Sequence, residues 1–330
     1  MKKILKFIFN YESHYQGTRK HKVFTILGFK LKFHVKFVKN ARRFIKSSKP
    51  VPLDYFSDSE REKVYLSVVA IFKDEPDIIE WIEYHRIAGV ERFYLYDNDS
   101  KNDYAKILES YINSGLVVYK KVYGKCMQIP VYRDAVYRYK NETEWMALID
   151  LDEYIVPIKE DDIKDFMKSY EKYPAVVLNW KMFDSNGLNK REVGKTVIES
   201  FTRVYGNSNQ QINRTVKTIL KPYKVRYVTV HVCFYKNNEF AVDENFNPIA
   251  GDTYFKTERV SFNKICINHY HCKSKEEYIA KINKGFADRT STRIFDEKQL
   301  NFPNTKNDYT ILKYLKSLKV RLNEKNKICV

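Results

Sequence analysis

From Tyr65 onward, short apolar runs alternate with amphipathic stretches. The run "YLSVVAIF", residues 65–72, is continuously apolar over strand length, the mark of a strand buried on both faces. "DIIEWIEYHRIAG", residues 77–89, predicts a helix with Pro76 at its first turn and Gly89 closing it. "ERFYLYD" predicts a second strand, a helical stretch runs to about Asn113, and "LVVYKKV" predicts a third strand. "MQIPVYRDAVYRYK" reads as a helix that tolerates Pro130 in its first turn, and "EWMALID", residues 144–150, as a fourth strand. Strands alternating with helices in this way predict βαβ units: an α/β fold with a mixed, mostly parallel central sheet flanked by helices.

After Pro157 the pattern is less regular. It predicts a helix over residues 161–170, a strand over 175–180, and a polar loop over 184–195. Strands follow at 216–220, 225–235 and 264–271, and the chain reads as helical from Lys273 onward. The expected organisation is a basic N-terminal extension and linker (residues 1–60), a main domain (61–290) and a C-terminal helical segment (291–330).

Charge changes the picture at the N-terminus. The net charge is +18, but residues 1–50 hold 14 Lys/Arg against the single acid Glu12, so the rest of the chain is nearly balanced. Within this segment Phe29, Leu31, Phe33, Val35 and Phe37 alternate with Lys30, Lys32, His34 and Lys36, a ribbon with one apolar and one cationic face. Ile4, Leu5, Ile8 and Phe9 with Lys2, Lys3 and Lys6 fit a short amphipathic helical turn. Such a segment suits an anionic membrane surface, where each Lys or Arg contributes roughly 1 kcal/mol. The balanced body argues against nucleic acid as a partner, although a basic nucleic-acid-binding protein or a membrane-associated scaffold with an inert acidic motif is the rival reading. The five cysteines are odd in number and form no C-x-x-C pair, which predicts reduced thiols and a cytoplasmic setting. No apolar run approaches the ~18 residues of a membrane span.

The candidate chemistry sits in "WMALIDLDEYIVP", residues 145–157. Three carboxylates in four positions, Asp150, Asp152 and Glu153, repel one another unless a cation or water screens them. On extended backbone Asp150 and Asp152 share a face, and the carboxyl ends of parallel strands are where ligands bind. Asp97 ends the second strand in the same way. Paired carboxylates suit Mg²⁺ or Mn²⁺, hard ions that share their shell with phosphates. The D-x-D of haloacid-dehalogenase-type phosphohydrolases follows a first strand, whereas here several βα units precede it. "CINHYHC" resembles a zinc site, but strand alternation sends Cys266 and Cys272 to one face and His269 and His271 to the other, so the four cannot converge.

Four segments in order resemble glycosyltransferase family 92 and the related bacterial family-2-like glycosyltransferases. They are "VVAIFKDEPDIIEWIEYHRIAGVERFYLYDNDSKND", "LIDLDEYIVP", "NWKMFDSNG" and "INHYHCKSKEEYIAKINKGFAD", together spanning about residues 65–288. The resemblance implies a GT-A nucleotide-sugar fold, a divalent metal on the D-x-D, and a UDP-hexose as donor. It further implies a cell-surface glycan or glycolipid acceptor, such as lipopolysaccharide or capsule, and an enzyme peripheral on the inner face of a bacterial membrane. In such a site Asp152 would bridge metal and diphosphate, with His269 as a further metal ligand. Asp150 would orient the ribose or sugar, or hold a metal-bound water. Asp97 would accept from the uracil or ribose, and Asp74 and Glu75 would lie near the base. Lys273, Lys281 and Arg289 would neutralise the diphosphate. An inverting transfer needs a base, and Asp184 is the candidate, although it stands where the group usually has Gly. Trp81 and His231 read as core residues, His231 because it lies within an apolar run.

Overall fold

The computed structural model describes the backbone of three N-terminal strands, then residues 61–249 and 255–328. Strands β1 (Phe9–Gln16), β2 (Arg19–Ile26) and β3 (Phe29–His34) pair antiparallel in that order, with Ile26 of β2 opposite Phe29 of β3. The amphipathic turn expected over residues 2–9 lies outside the described residues except for Phe9, which opens β1, and most of the linker over 47–62 lies outside them too.

The main sheet has eight strands in the order β6-β5-β4-β7-β11-β9-β14-β8. β4 (Val64–Phe72), β5 (Arg92–Asn98), β6 (Val117–Val122) and β7 (Thr143–Leu148) are parallel. They are linked through helices α1 (Ile78–Ile87), α2 (Tyr104–Ile107), α3 (Glu109–Asn113) and α4 (Gln128–Arg138). The apolar run of β4 packs one hydrophobic layer against each face, Val68 and Ala70 on one side and Val69 on the other. The alternation of the first half is therefore what the fold uses.

The second half departs from expectation in three places. The fourth strand stops at Leu148, and a turn over residues 149–152 carries the acidic pair into an unforeseen strand, β8 (Glu153–Pro157). β8 forms the sheet edge, antiparallel to β14 (Ile265–His269), which lies parallel to β9 (Ala175–Met182). β11 (Val216–Leu220) runs antiparallel to both β7 and β9. The long strand expected over 225–235 is two short ones, β12 (Val225–Tyr227) and β13 (Phe234–Tyr235), and the loop between them folds back onto β11. Short helices α5 (Ile163–Lys168) and α6 (Val197–Ser200) flank β9 in the chain. The C-terminal part is not helical throughout: after α7 (Lys275–Lys284) and α8 (Glu297–Leu300), strand β15 (Thr305–Asn307) pairs with β10 (Arg203–Tyr205). The last helix, α9 (Leu315–Ile328), packs on α1, with Leu318 fully buried in the main core. Ile311, Tyr314 and Leu318 thus share the core of the main domain.

Helix α1 replaces the strand that β8 lacks on its free side. Trp81 Nε1 donates to the carbonyl of Glu153 (2.8 Å), and Tyr84 Oη donates to that of Ile155 (2.8 Å). The Ile155 N–H donates to His85 Nε2 (3.3 Å), whose Nδ1–H in turn meets the Trp81 carbonyl (2.9 Å). All three side chains are fully buried, so no water is available to meet those backbone groups. Beyond the helix, Gly89 at φ +104° lets the chain pass Asp162, whose Oδ1 would lie 2.1 Å from a Cβ there.

Trp81→Phe and Tyr84→Phe should each therefore strand a buried β8 carbonyl and lower stability by about 1–3 kcal/mol in urea unfolding. Wild-type stability in either variant would show that the edge strand is held by something other than α1.

Candidate active site

A cavity of about 540 Å³ opens at the carboxyl ends of the parallel strands. Its walls come from the ends of β4 and β5, the turn after β7, Trp180 of β9, the residues leaving β14, and the face of α7 bearing Lys281 and Lys284. The acidic turn forms its floor.

The turn is fixed by buried charge. Asp150 Oδ1 accepts from Gln128 Nε2 (2.7 Å) and Tyr132 Oη (3.1 Å), and its Oδ2 accepts from the Lys217 ammonium (2.9 Å). Lys217 is fully buried on β11 and also lies 3.6 Å from Glu153, itself fully buried. Burial would raise the Asp150 pKa, but Lys217 outweighs it and holds this carboxyl below its usual range. Glu153 goes the other way. Burial, reinforced by the neighbouring aspartates, pushes its pKa well above normal despite Lys217, while its Oε2 accepts the Asp150 N–H (2.8 Å). The sequence grouped Glu153 with Asp150 and Asp152 as carboxylates awaiting a cation; in the fold it turns away from the cavity and props the turn from below, fully buried.

Asp152 faces two histidines. The Tyr270 N–H donates to the Asp152 carbonyl (2.8 Å), so the flanking His269 and His271 arrive beside its side chain. His269 Nε2 lies 3.4 Å from Asp152 Oδ2, the Lys281 ammonium donates to the same oxygen, and the Lys281 Nζ–His271 Nδ1 distance is 3.1 Å. One ligand atom from each of Asp152, His269 and His271 falls within 4.8 Å of the others. Burial would raise the Asp152 pKa, but Lys281 and the imidazoles hold it well below normal; burial lowers both histidine pKa values. An ionised carboxylate and two neutral imidazoles are the donor set a divalent cation requires, so these residues fit the metal. Cys266 and Cys272 stand apart, as strand alternation predicted, with Cys272 Sγ against the Gln299 carbonyl (3.3 Å).

The other predicted residues divide. Asp74, at φ +48°, and Glu75 line the cavity, Glu75 paired to Lys284 at 3.0 Å. Lys273 also lines it, but its ammonium is bound to Asp77, whose other oxygen takes Arg191 at 2.6 Å. Arg289 stacks on Phe286 (4.1 Å) at the rim, beside Arg293 on the same ring (4.2 Å). Asp97 is corrected: it is fully buried, bonded to Ser100 N–H (2.9 Å) and Tyr119 Oη (2.6 Å), and strand alternation gives the cavity Asn98 instead. Asp184 is corrected as the candidate base. It is fully buried, its oxygens taken by Arg203 (2.8–3.1 Å) and by the N–H groups of Asn186 (2.8 Å) and Phe302 (3.1 Å). No acceptor can reach it. Lys217, Gln128, Tyr132, Trp180 and His231 were not read as site residues; a lysine inside the apolar run "VKTIL" was the signal for the first.

The family description of glycosyltransferase family 92 matches residues 62–317. A glycosyltransferase family 92 protein of Ricinus communis is 24% identical over 222 residues, covering 66% of this chain and 36% of that protein. One from Arabidopsis thaliana is 31% identical over 86 residues, covering 26% of this chain and 15% of its own. The chain thus spans about a third or less of the relatives it matches. Among solved structures, S. aureus TarS 1–349 superposes with a TM-score of 0.32 at 16% identity, over 48% of this chain and 47% of that one. The same TarS portion in complex with UDP-GlcNAc gives 0.33 at 16% identity, over 48% and 46%.

Lys217→Met should leave the partly exposed Asp150 without its counter-charge and destabilise the fold by about 1–3 kcal/mol. Glu153→Gln should be milder, because it removes no counter-charge and burial already disfavours the Glu153 carboxylate. Chemical unfolding of both variants tests this, and an ordering with Glu153→Gln the worse would refute the charge assignment.

Proposed function

Given that this chain belongs to glycosyltransferase family 92, we propose that the cavity transfers a hexose from a nucleotide-sugar, a UDP-sugar, to a hydroxyl of a cell-surface glycan or glycolipid. The observation that carries this reading is the meeting of Asp152, His269 and His271 on the floor of a cavity at the strand ends.

Asp152, His269 and His271 would hold a Mn²⁺ or Mg²⁺. Such an ion, when bound, supplies positive charge to the diphosphate leaving group. Arg289 and Arg293, stacked on Phe286, add positive charge along the α7 side of the cavity, where negative charge grows as the sugar departs. Asp150 has both oxygens engaged by Gln128, Tyr132 and Lys217 yet remains 34% exposed on its side chain, so it suits accepting a ribose or sugar hydroxyl better than direct metal ligation. Asn98 Oδ1 is buried without a partner and Asn98 lines the cavity, a place for a nucleobase N–H. Asp74 and Glu75 stand at the same end of the cavity as Asn98, following β4.

Thermal-shift measurements with UDP-, GDP- and CMP-sugars, with and without Mn²⁺, test the reading. UDP-sugars with Mn²⁺ should stabilise the wild type, and Asp152→Asn should lose the Mn²⁺-dependent part while keeping its own melting cooperative. Full Mn²⁺-dependent stabilisation in Asp152→Asn would refute the metal assignment, and no response to any sugar nucleotide would refute the donor class.

The reading places the enzyme on the inner face of a membrane through residues 1–50, supported by their 14 basic residues against one acid. Deleting residues 1–50 should abolish salt-sensitive flotation with phosphatidylserine-containing liposomes and leave sugar-nucleotide binding intact. Equal flotation of the truncated chain would refute it.

A further inference from the structure

His231 was expected to be a core histidine within a strand. It instead stands in the loop between β12 and β13 and lines the cavity. Three contacts hold it against β11 and its own loop. Its Nδ1 lies 2.8 Å from the Val216 carbonyl, the Thr218 hydroxyl donates to its carbonyl, and its N–H reaches Thr229 Oγ1 (3.3 Å).

The Val216 contact settles the tautomer. A carbonyl can only accept, so Nδ1 carries the proton and Nε2 carries the lone pair. Among the described residues Nε2 has no hydrogen-bond partner. Burial, aided by the nearby Lys217 ammonium, lowers the His231 pKa to about 4, so the ring is neutral near pH 7. Its ring neighbours are Trp180 (5.7 Å) and Phe255 (6.0 Å), and Trp180 also contacts His269 (4.3 Å). Trp180 thus stands between the metal-ligand cluster and His231. The Trp180 Nε1–H is itself buried without a partner, a donor available to a sugar oxygen.

We propose that His231 is the general base of the transfer, its Nε2 accepting the proton of the attacking hydroxyl. This rests on the glycosyl-transfer reading and adds that the transfer inverts configuration. The acceptor oxygen forms a bond to the anomeric carbon. The bond from that carbon to the diphosphate breaks with its electron pair passing to the phosphate oxygen, and the acceptor proton passes to Nε2. Burial and the Lys217 ammonium lower the basicity of His231, and the Val216 carbonyl and Asp150 raise it. A bound donor diphosphate brings further negative charge into the cavity and raises it again, toward the range useful for proton transfer.

His231→Asn tests the assignment, because the Asn amide can still donate to the Val216 carbonyl while the lone pair of Nε2 is lost. The assay is release of the nucleotide leaving group (UDP, GDP or CMP) by the full chain with Mn²⁺, using the UDP-, GDP- and CMP-sugar panel and methyl hexosides as acceptors. His231→Asn should melt like wild type and bind UDP unchanged, yet turn over ~10²–10⁴-fold more slowly. The product anomer, read by NMR, should be inverted. Should His231→Asn fail to fold, added imidazole is expected to restore turnover to His231→Gly. Wild-type turnover by His231→Asn, a retained anomer, or no rescue of His231→Gly would each overturn the proposal while leaving glycosyl transfer standing. No wild-type turnover of any sugar nucleotide would overturn glycosyl transfer itself, and this proposal with it.

Discussion

The site depends on an edge strand whose missing neighbour is supplied by side chains. β8 has β14 on one side only, and Trp81, Tyr84 and His85 of α1 meet the backbone groups on the other. A buried, unmet carbonyl or N–H costs about 1–3 kcal/mol, so three such bonds fix where β8 can lie. β8 begins at Glu153, directly after the turn that holds Asp150 and Asp152. The aromatic and imidazole positions of "WIEYH" therefore act on the cavity through a strand, without touching what binds there. Tyr270, joined by its N–H to Asp152, does the same from the β14 side and delivers His269 and His271.

Charge in the cavity is balanced residue by residue. Lys217 answers Asp150, Lys281 answers Asp152, Lys273 and Arg191 answer Asp77, and Lys284 answers Glu75. Read along the chain, the carboxylates suggested a single acidic cluster around an ion. In space they are separated into pairs, and only Asp152 is joined by neutral imidazoles. The two aspartates of the D-x-D consequently differ in kind. Asp150 is pinned by a fully buried ammonium that no ion can displace without stranding Lys217, whereas the Lys281 stem reaches Asp152 from α7 and retains 23% side-chain exposure.

What was legible in the sequence follows from how burial writes itself into it. β4, β5 and β7 are covered on both faces, which demands continuous apolar runs, and such runs stand out. β8 was missed because its first residue, Glu153, is an acid that reads as solvated until Lys217 and burial are placed around it. Asp97 and Asn98 differ by one strand register, and in a period of two that single step exchanges core for cavity. The run over 225–235 alternates well enough to read as one strand. Only tertiary contact with Val216 and Thr218 shows that its middle leaves the sheet. Asp184 carried a carboxylate in a suggestive loop, but nothing local revealed Arg203, nineteen residues on, closing over it.

The histidines show how bond counting separates roles that sequence context cannot. A neutral imidazole has one donor and one acceptor. In His85 both are spent inside the fold, on Trp81 and Ile155, and burial lowers its pKa to about 3, so it is a structural strut. His269 has one nitrogen against Asp152 and the other buried without a partner. His231 spends its donor on Val216 and keeps its acceptor. All three are buried or half-buried beside apolar neighbours and look alike in the chain. They differ in which nitrogen the fold has left over, and at the cavity wall that remainder is what a substrate can meet.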